Sequence, residues 1–223
     1  MKLTKAELAR YLETTILKPE GTRGEVIELC EQAISYGFIL ACVHPQYVSL
    51  AKSILQGSAT MVMTPVGFPF GANTTACKVF EAQDALRNGA DELDMMIFMG
   101  AFKDGLYNIV RDDIRAVVEV AEGRTVKAII ETALLSQEEI ITACQIAVEA
   151  GARFVKTSTG VGLPGATVED IEIMVQAVAG SNCGVKASGG INELAQVLPL
   201  IEAGATRIAS RSAVHIIDSL GAQ

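Results

Sequence analysis

The chain has no tryptophan, only 5% aromatic residues, two histidines, and no CxxC pair among its five cysteines. Each scarcity closes off a class of function. His44 and His215 have no partner histidine or cysteine at ligand spacing, so no zinc pattern is present. Cys30, Cys42, Cys77, Cys144 and Cys183 are odd in number and lie mostly in apolar patterns, which reads as reduced thiols rather than a disulfide framework. No G-x-S-x-G elbow supports a Ser–His–Asp triad. No apolar run approaches the ~18 residues that a membrane span needs. Basic stretches are also missing, and the net charge of −8 argues against nucleic acid or an anionic membrane as partner. The charge and the cysteines read as a well-solvated cytoplasmic protein in a reducing compartment.

What the chain does have is 223 residues, half of them apolar, enough for a substantial core. Its first stretch, MKLTKAELARYLETT, is amphipathic, with Thr4 and Glu7 at capping-box spacing, and reads as a short extra helix rather than a signal peptide. After it, one unit recurs: a β-rich apolar run, a polar or glycine-containing loop, a helical pattern, then often glycine. The expected strands are 14–17, 38–43, 60–66, 92–97, 126–131, 154–157, 184–187 and 207–209. Val110, Ile114, Val117, Val118 and Ala121 form one helical stripe, and Ile140, Cys144, Ala147 and Val148 another. Ser136 with Glu139 and Thr167 with Asp170 read as helix starts, and Gly57, Gly89, Gly151, Gly180 and Gly204 as stops. Strand–helix alternation implies parallel strands and right-handed crossovers. Eight even units across residues 1–223 point to a single α/β domain, a (β/α)₈ TIM barrel. A doubly wound sheet is the competitor, but no break marks a switch of sheet face.

In that barrel, active sites sit at the C-terminal ends of the strands. Asp94 lies on the fourth, Lys127 and Glu131 on the fifth, Lys156 on the sixth and Lys186 on the seventh. Strand alternation puts Lys127, Ile129 and Glu131 on one face. FVKTSTG (154–160) and GVKASGG (184–190) carry their lysines in matching places. Inward-pointing lysines on adjacent strands ~4.8 Å apart lie in each other's field. A free lysine is neutral about once in 10³ molecules near pH 7.4, whereas a neighbouring ammonium and burial both favour the neutral amine. A neutral lysine amine attacks carbonyl carbon to form a Schiff base. The plainer reading has each lysine snorkelling to solvent or pairing with a carboxylate. The repeated flanks, with Asp94 nearby, favour the reactive pair.

GVGLPG (160–165) fits G-x-G-x-x-G, but the acid that a dinucleotide site needs ~20 residues later is missing, Lys186 and Ala187 lying there instead. The loop still suits an anion. The loops after the seventh and eighth strands are the usual phosphate site of this barrel; they hold Ser188, Gly189 and Gly190, and then Ser210, Arg211 and Ser212, with Arg211 a bidentate donor. Asp112–Asp113 and Glu138–Glu139 read as solvated helix faces.

VGFPFGANTT (66–75), NGADELDMMI (88–97), VKAIIET (126–132), FVKTSTG, GATVED (165–170), GVKASGGI (184–191) and EAGATRI (202–208) together resemble the deoxyribose-phosphate aldolases, class I aldolases, nearly end to end. The resemblance implies a (β/α)₈ barrel, a homo-oligomer (dimer or tetramer), no metal or other cofactor, and reversible cleavage of 2-deoxyribose 5-phosphate to acetaldehyde and glyceraldehyde 3-phosphate. It implies Lys156 as the Schiff-base lysine, Lys186 as the neighbour that holds its pKa down, and Asp94 as the group that orients a proton-shuttling water. Thr15, Lys18 and Lys127 would touch substrate hydroxyls, and Gly160, Gly189 and Gly190 the phosphate. The sequence departs from the family at Glu13 and Thr14, at Phe98, and at Ala209–Ser210–Arg211–Ser212, where a glycine and paired serines are usual. There Ala209 adds a methyl, and Arg211 either replaces lost phosphate contacts or fills the pocket. A phosphosugar isomerase using Asp94 or Glu131 as base, or a non-catalytic sugar-phosphate binder, would share the phosphate loops but leave the paired lysines unexplained.

Overall fold

A computed structural model describes residues 3–221. Eight strands, β1 Leu12–Ile16, β2 Leu40–Val43, β3 Met61–Val66, β4 Glu92–Met96, β5 Thr125–Ile129, β6 Phe154–Lys156, β7 Gly184–Ser188 and β8 Arg207–Ser210, form a closed barrel in sequence order. All neighbours run parallel, and β8 closes on β1 with Glu13 opposite Ala209. Among the described residues ten α-helices surround it: α1 Lys5–Ala9, α2 Arg23–Tyr36, α3 Val48–Leu55, α4 Thr75–Arg87, α5 Met99–Lys103, α6 Tyr107–Val120, α7 Gln137–Glu149, α8 Val168–Ala177, α9 Leu194–Glu202 and α10 Ala213–Asp218. The expected TIM barrel is what the chain forms, with α1 as the extra N-terminal helix. α1 owes its start to a complete Thr4–Glu7 capping box, and α7 and α8 start on Ser136 and Thr167 as their spacing predicts.

Outward residues of the strands and inward faces of the helices make one large core, in which Leu12, Val62, Leu93, Val126, Val155 and Ile208 are fully or almost fully buried. The expected stripe on α6 packs there through Val110, Ile114, Val117 and Ala121. The barrel interior differs. Leu40, Cys42 and Met63 fill the β2–β3 side as a separate apolar cluster, and charged side chains occupy the rest.

Two expectations change. Strand five ends at Ile129, because Glu131 adopts a left-handed backbone (φ 52°). Asp112 is an exposed α6 residue as expected, but Asp113 is not. It is buried, pairs with the fully buried Lys78 of α4 at 2.6 Å, and accepts from Thr75 Oγ1 at 2.8 Å. The Lys78 amine also donates to the Met96 carbonyl, 3.0 Å away at the end of β4. This pair fastens α4 and α6 to the strand that carries Asp94. Removing one partner of a buried pair strands a charge, so Asp113→Ala should cost about 3–5 kcal/mol in urea unfolding; a loss below about 1 kcal/mol would mean that the pair is not closed in solution.

Candidate active site

Inside the barrel, seven charged side chains from six strands form one buried network. Arg207 lies lowest, its guanidinium 5.4 Å from the Phe154 ring centre and 3.4–3.5 Å from Glu92 and Glu13. Lys127 sits above, 2.5 Å from Glu92 and 3.0 Å from Asp94. At the top, Asp94 Oδ2 accepts from Lys156 Nζ at 2.8 Å and from Lys186 Nζ at 2.7 Å, and Lys186 also donates to Glu13. Register explains the meeting: Lys156 lies opposite Lys186 across β6–β7, and Asp94 opposite Lys127 across β4–β5.

The electrostatics follow from that packing. Burial alone would raise the Asp94 carboxyl, but Lys127, Lys156 and Lys186 outweigh it and hold it well below the usual aspartate value. Glu13 likewise stays below its ordinary value, burial being overcome by Lys127 and Lys186. Burial pulls on Lys127 too, yet Asp94, Glu13 and Glu92 leave its ammonium more firmly protonated than a free lysine. Lys186 goes the other way. Burial dominates, Lys156 and Lys127 add to it, and its pKa falls despite Asp94 and Glu13. The network has four cationic and three anionic groups, so one lysine can be neutral without leaving a buried carboxylate unpaired.

A cavity of about 320 Å³ opens at the C-terminal end of the barrel. Lys156 is the single member of the network that lines it. Thr15, Lys18, Thr159, Gly160, Ser188, Gly189, Gly190, Ala209, Ser210 and Arg211 also face it. Two loops meet there backbone to backbone: a Cβ on Gly165 would fall 1.8 Å from the Gly189 carbonyl oxygen, and one on Gly189 would fall 2.9 Å from Gly165 Cα. That close approach is the physical demand behind Gly165 and Gly189, whereas Gly160, Gly162 and Gly190 answer to their left-handed backbones (φ 79°, 73° and 69°).

The remaining expected residues divide. Lys18 reaches the cavity but is paired with Glu25 at 2.5 Å, a bond that raises the lysine pKa and holds Glu25 at about 2. Lys127 has no surface in the cavity, and its amine is taken by Glu92 and Asp94. Asp94 and Lys186 lie just behind Lys156 rather than on the wall. Ser210 lines the cavity with its hydroxyl donated to the Ile191 carbonyl at 2.6 Å, whereas Ser212 does not line it and donates to Asn192 Oδ1 on its wall at 3.2 Å. Among the departures, Ala209 and Arg211 face the cavity and Thr14 and Phe98 do not. Glu131 does not join Lys127 on the inner face; its carboxylate turns to Thr159.

Residues 13–209, nearly the whole barrel, match the DeoC/LacD family of aldolases. The chain belongs to this family. It is 51% identical over 220 residues to the deoxyribose-phosphate aldolase of Thermococcus kodakarensis, covering 97% of this chain and 98% of that one. It is 50% identical over 210 residues to that of Macrococcus caseolyticus, covering 94% and 95%. Among solved structures, the deoxyribose-phosphate aldolase of Aeropyrum pernix, described as having a unique tetrameric structure, superposes with a TM-score of 0.90 at 30% identity, over 97% of this chain and 92% of that one.

Within this DeoC/LacD barrel, sequence reading missed Glu92 and Arg207 as network members and saw Glu13 only as a departure. The signal was available. Glu92 and Asp94 are two residues apart on one strand, so alternation puts both side chains inside.

The network sets an acid-side prediction. A carboxyl depressed in the folded state contributes stability above its ordinary pKa that is lost as pH falls through the folded value. The urea midpoint should hold from pH 7 to about pH 5 and fall steeply below about pH 4. Glu13→Gln should give a shallower acid fall, and an equal slope would remove Glu13 from this balance.

Proposed function

We propose that the chain is a metal-independent class I aldolase that reversibly cleaves 2-deoxyribose 5-phosphate to acetaldehyde and glyceraldehyde 3-phosphate. The observation that carries this reading is Lys156: alone of the buried network it opens into the cavity, while Asp94 ties its amine to Lys186.

The Lys156 amine attacks C1 of the open-chain aldehyde, its proton passing to the Asp94–Lys186 pair, and loss of water leaves a protonated imine. That imine is an electron sink. The C3 hydroxyl gives its proton to the Asp94–Lys186 pair, the C2–C3 bond breaks, glyceraldehyde 3-phosphate departs, and the electron pair of the broken bond becomes the enamine. Protonation at C2 and hydrolysis release acetaldehyde and free the lysine. Thr15 and Lys18 face the sugar hydroxyls. Gly160, Gly189 and Gly190 border the phosphate end, where Arg211, an exposed guanidinium with no hydrogen bond or ion pair among the described residues, adds a charge-assisted fork.

We read the chain as a homo-oligomer, by analogy with the Aeropyrum tetramer. We also read it as cytoplasmic, in line with five free cysteines and no described helix long and apolar enough to cross a membrane.

Borohydride reduction with acetaldehyde, followed by intact-mass and peptide analysis, tests the reaction. One ethyl adduct on Lys156 is expected, with none in Lys156→Leu; an adduct elsewhere or none in wild type overturns it. Lys186→Leu should fold and trap about 10²–10⁴-fold more slowly. For the tail, Arg211→Ser should lower the kcat/KM preference for phosphorylated over unphosphorylated sugar by about tenfold; an unchanged preference removes Arg211 from recognition.

A further inference from the structure

Glu131 carries several features that the reaction above does not use. It is a non-glycine residue in the left-handed region (φ 52°, ψ 70°), a conformation that persists only where its surroundings enforce it. The residue is 3% exposed. One carboxylate oxygen, Oε2, accepts from both the backbone N–H and the hydroxyl of Thr159, at 3.1 and 2.5 Å. The other, Oε1, is buried without a hydrogen-bond partner among the described residues.

The backbone shows how this arises. Ile130 N–H bonds the Lys156 carbonyl at 3.0 Å, and Thr132 N–H bonds the Thr157 carbonyl at 2.9 Å. Two residues after β5 therefore pass against one after β6, which is the count of a bulge. The bulge turns Glu131 away from the barrel interior and along the rim, onto the loop that follows Lys156. There the bonding continues: Thr159 Oγ1, held by Glu131, accepts from Val161 N–H at 3.2 Å. Gly160 lies between these two anchors, itself left-handed (φ 79°), with its α-carbon packed toward Gly189. Thr159, Gly160 and Gly162 all line the cavity; Glu131 does not. A base acting on substrate would have to face the cavity, so this carboxylate does not do that work.

We infer that Glu131 is a positioning residue that holds the 159–162 loop in its anion-accepting shape through Thr159, and so sets affinity for the phosphate end of the substrate without taking part in chemistry at Lys156. This rests on the proposed aldolase reading for the identity of the tail but not for the clamp. Carboxylate oxygens accept strongly from N–H and O–H donors, and the part-buried Glu131–Thr159 pair fixes the start of a glycine-rich loop.

Two readouts separate the clamp from the catalysis: the dissociation constant of inorganic phosphate, and the rate of borohydride trapping with acetaldehyde alone. Glu131→Ala and Glu131→Gly should each weaken phosphate binding and raise KM for 2-deoxyribose 5-phosphate by about tenfold or more, while the acetaldehyde trapping rate stays within about twofold. Glycine suits the left-handed backbone, so Glu131→Gly reports the clamp even if the alanine variant folds poorly. Glu131→Gln, whose amide oxygen still accepts from Thr159, should keep both constants within about threefold of wild type. Thr159→Val should match Glu131→Ala, and the double variant should lose no more than either single one. Acetaldehyde trapping that falls as far as phosphate affinity would overturn the inference, as would unchanged phosphate affinity in both Glu131→Ala and Glu131→Gly. A wild type that binds phosphate through Glu131 yet never traps acetaldehyde would instead sink the aldolase reading and leave the clamp standing.

Discussion

Everything in this barrel depends on one carboxylate oxygen. Asp94 Oδ2 accepts from the amines of Lys156 and Lys186 together, in an interior almost without solvent exposure. Burying a charge is costly unless it is paired, and three acids among four bases pair all but one. The surplus is small, and it lies at the end of the network nearest the cavity. A fully matched network would hold every lysine charged. An unmatched one deeper in the barrel would be hard to satisfy at all. The arrangement pairs its lower members firmly and leaves proton exchange to the top.

The rest of the molecule keeps that oxygen in place. β4, β6 and β7 bring Asp94, Lys156 and Lys186 together through parallel register, which needs all eight strands to close. Behind β4, the buried Lys78–Asp113 pair ties two helices to the strand end two residues after Asp94. Above it, glycines let the loops after β6 and β7 touch, shaping the cavity mouth. The apolar β2–β3 side of the interior supplies the low-polarity flank that makes the charged side so sensitive to pairing.

Much of this was legible in the sequence, because repetition carries information that single residues do not. Eight strand–helix units gave the barrel, and the matched flanks of FVKTSTG and GVKASGG gave the lysine pair. With the matched flanks favouring an inward Lys156–Lys186 pair, side-chain alternation set Lys127, Ile129 and Glu131 on a common face. It failed at Glu131, where one left-handed residue shifts the register and redirects the side chain, and nothing in VKAIIET signals a bulge. It also failed at Asp113. A helix stripe identifies the apolar face, but an acid at that face's edge is buried or solvated according to its partner, and Lys78 lies thirty-five residues earlier. The paired role of Lys127 was hidden for the same reason: it is set by Glu92 and Asp94 on the neighbouring strand, and register is a tertiary fact.

Burial, opposed by too few carboxylates, loosens the proton on Lys186 while Lys127, better surrounded, keeps its own. Labelling lysine side chains with ¹³C at Cε and following their NMR shifts with pH, with Lys127→Met and Lys186→Met used to assign the signals, reads both ionisations in one experiment. Lys186 should titrate below the ordinary lysine value of ~10.4 and Lys127 above it. A Lys186 that stays protonated as high as Lys127 would contradict it.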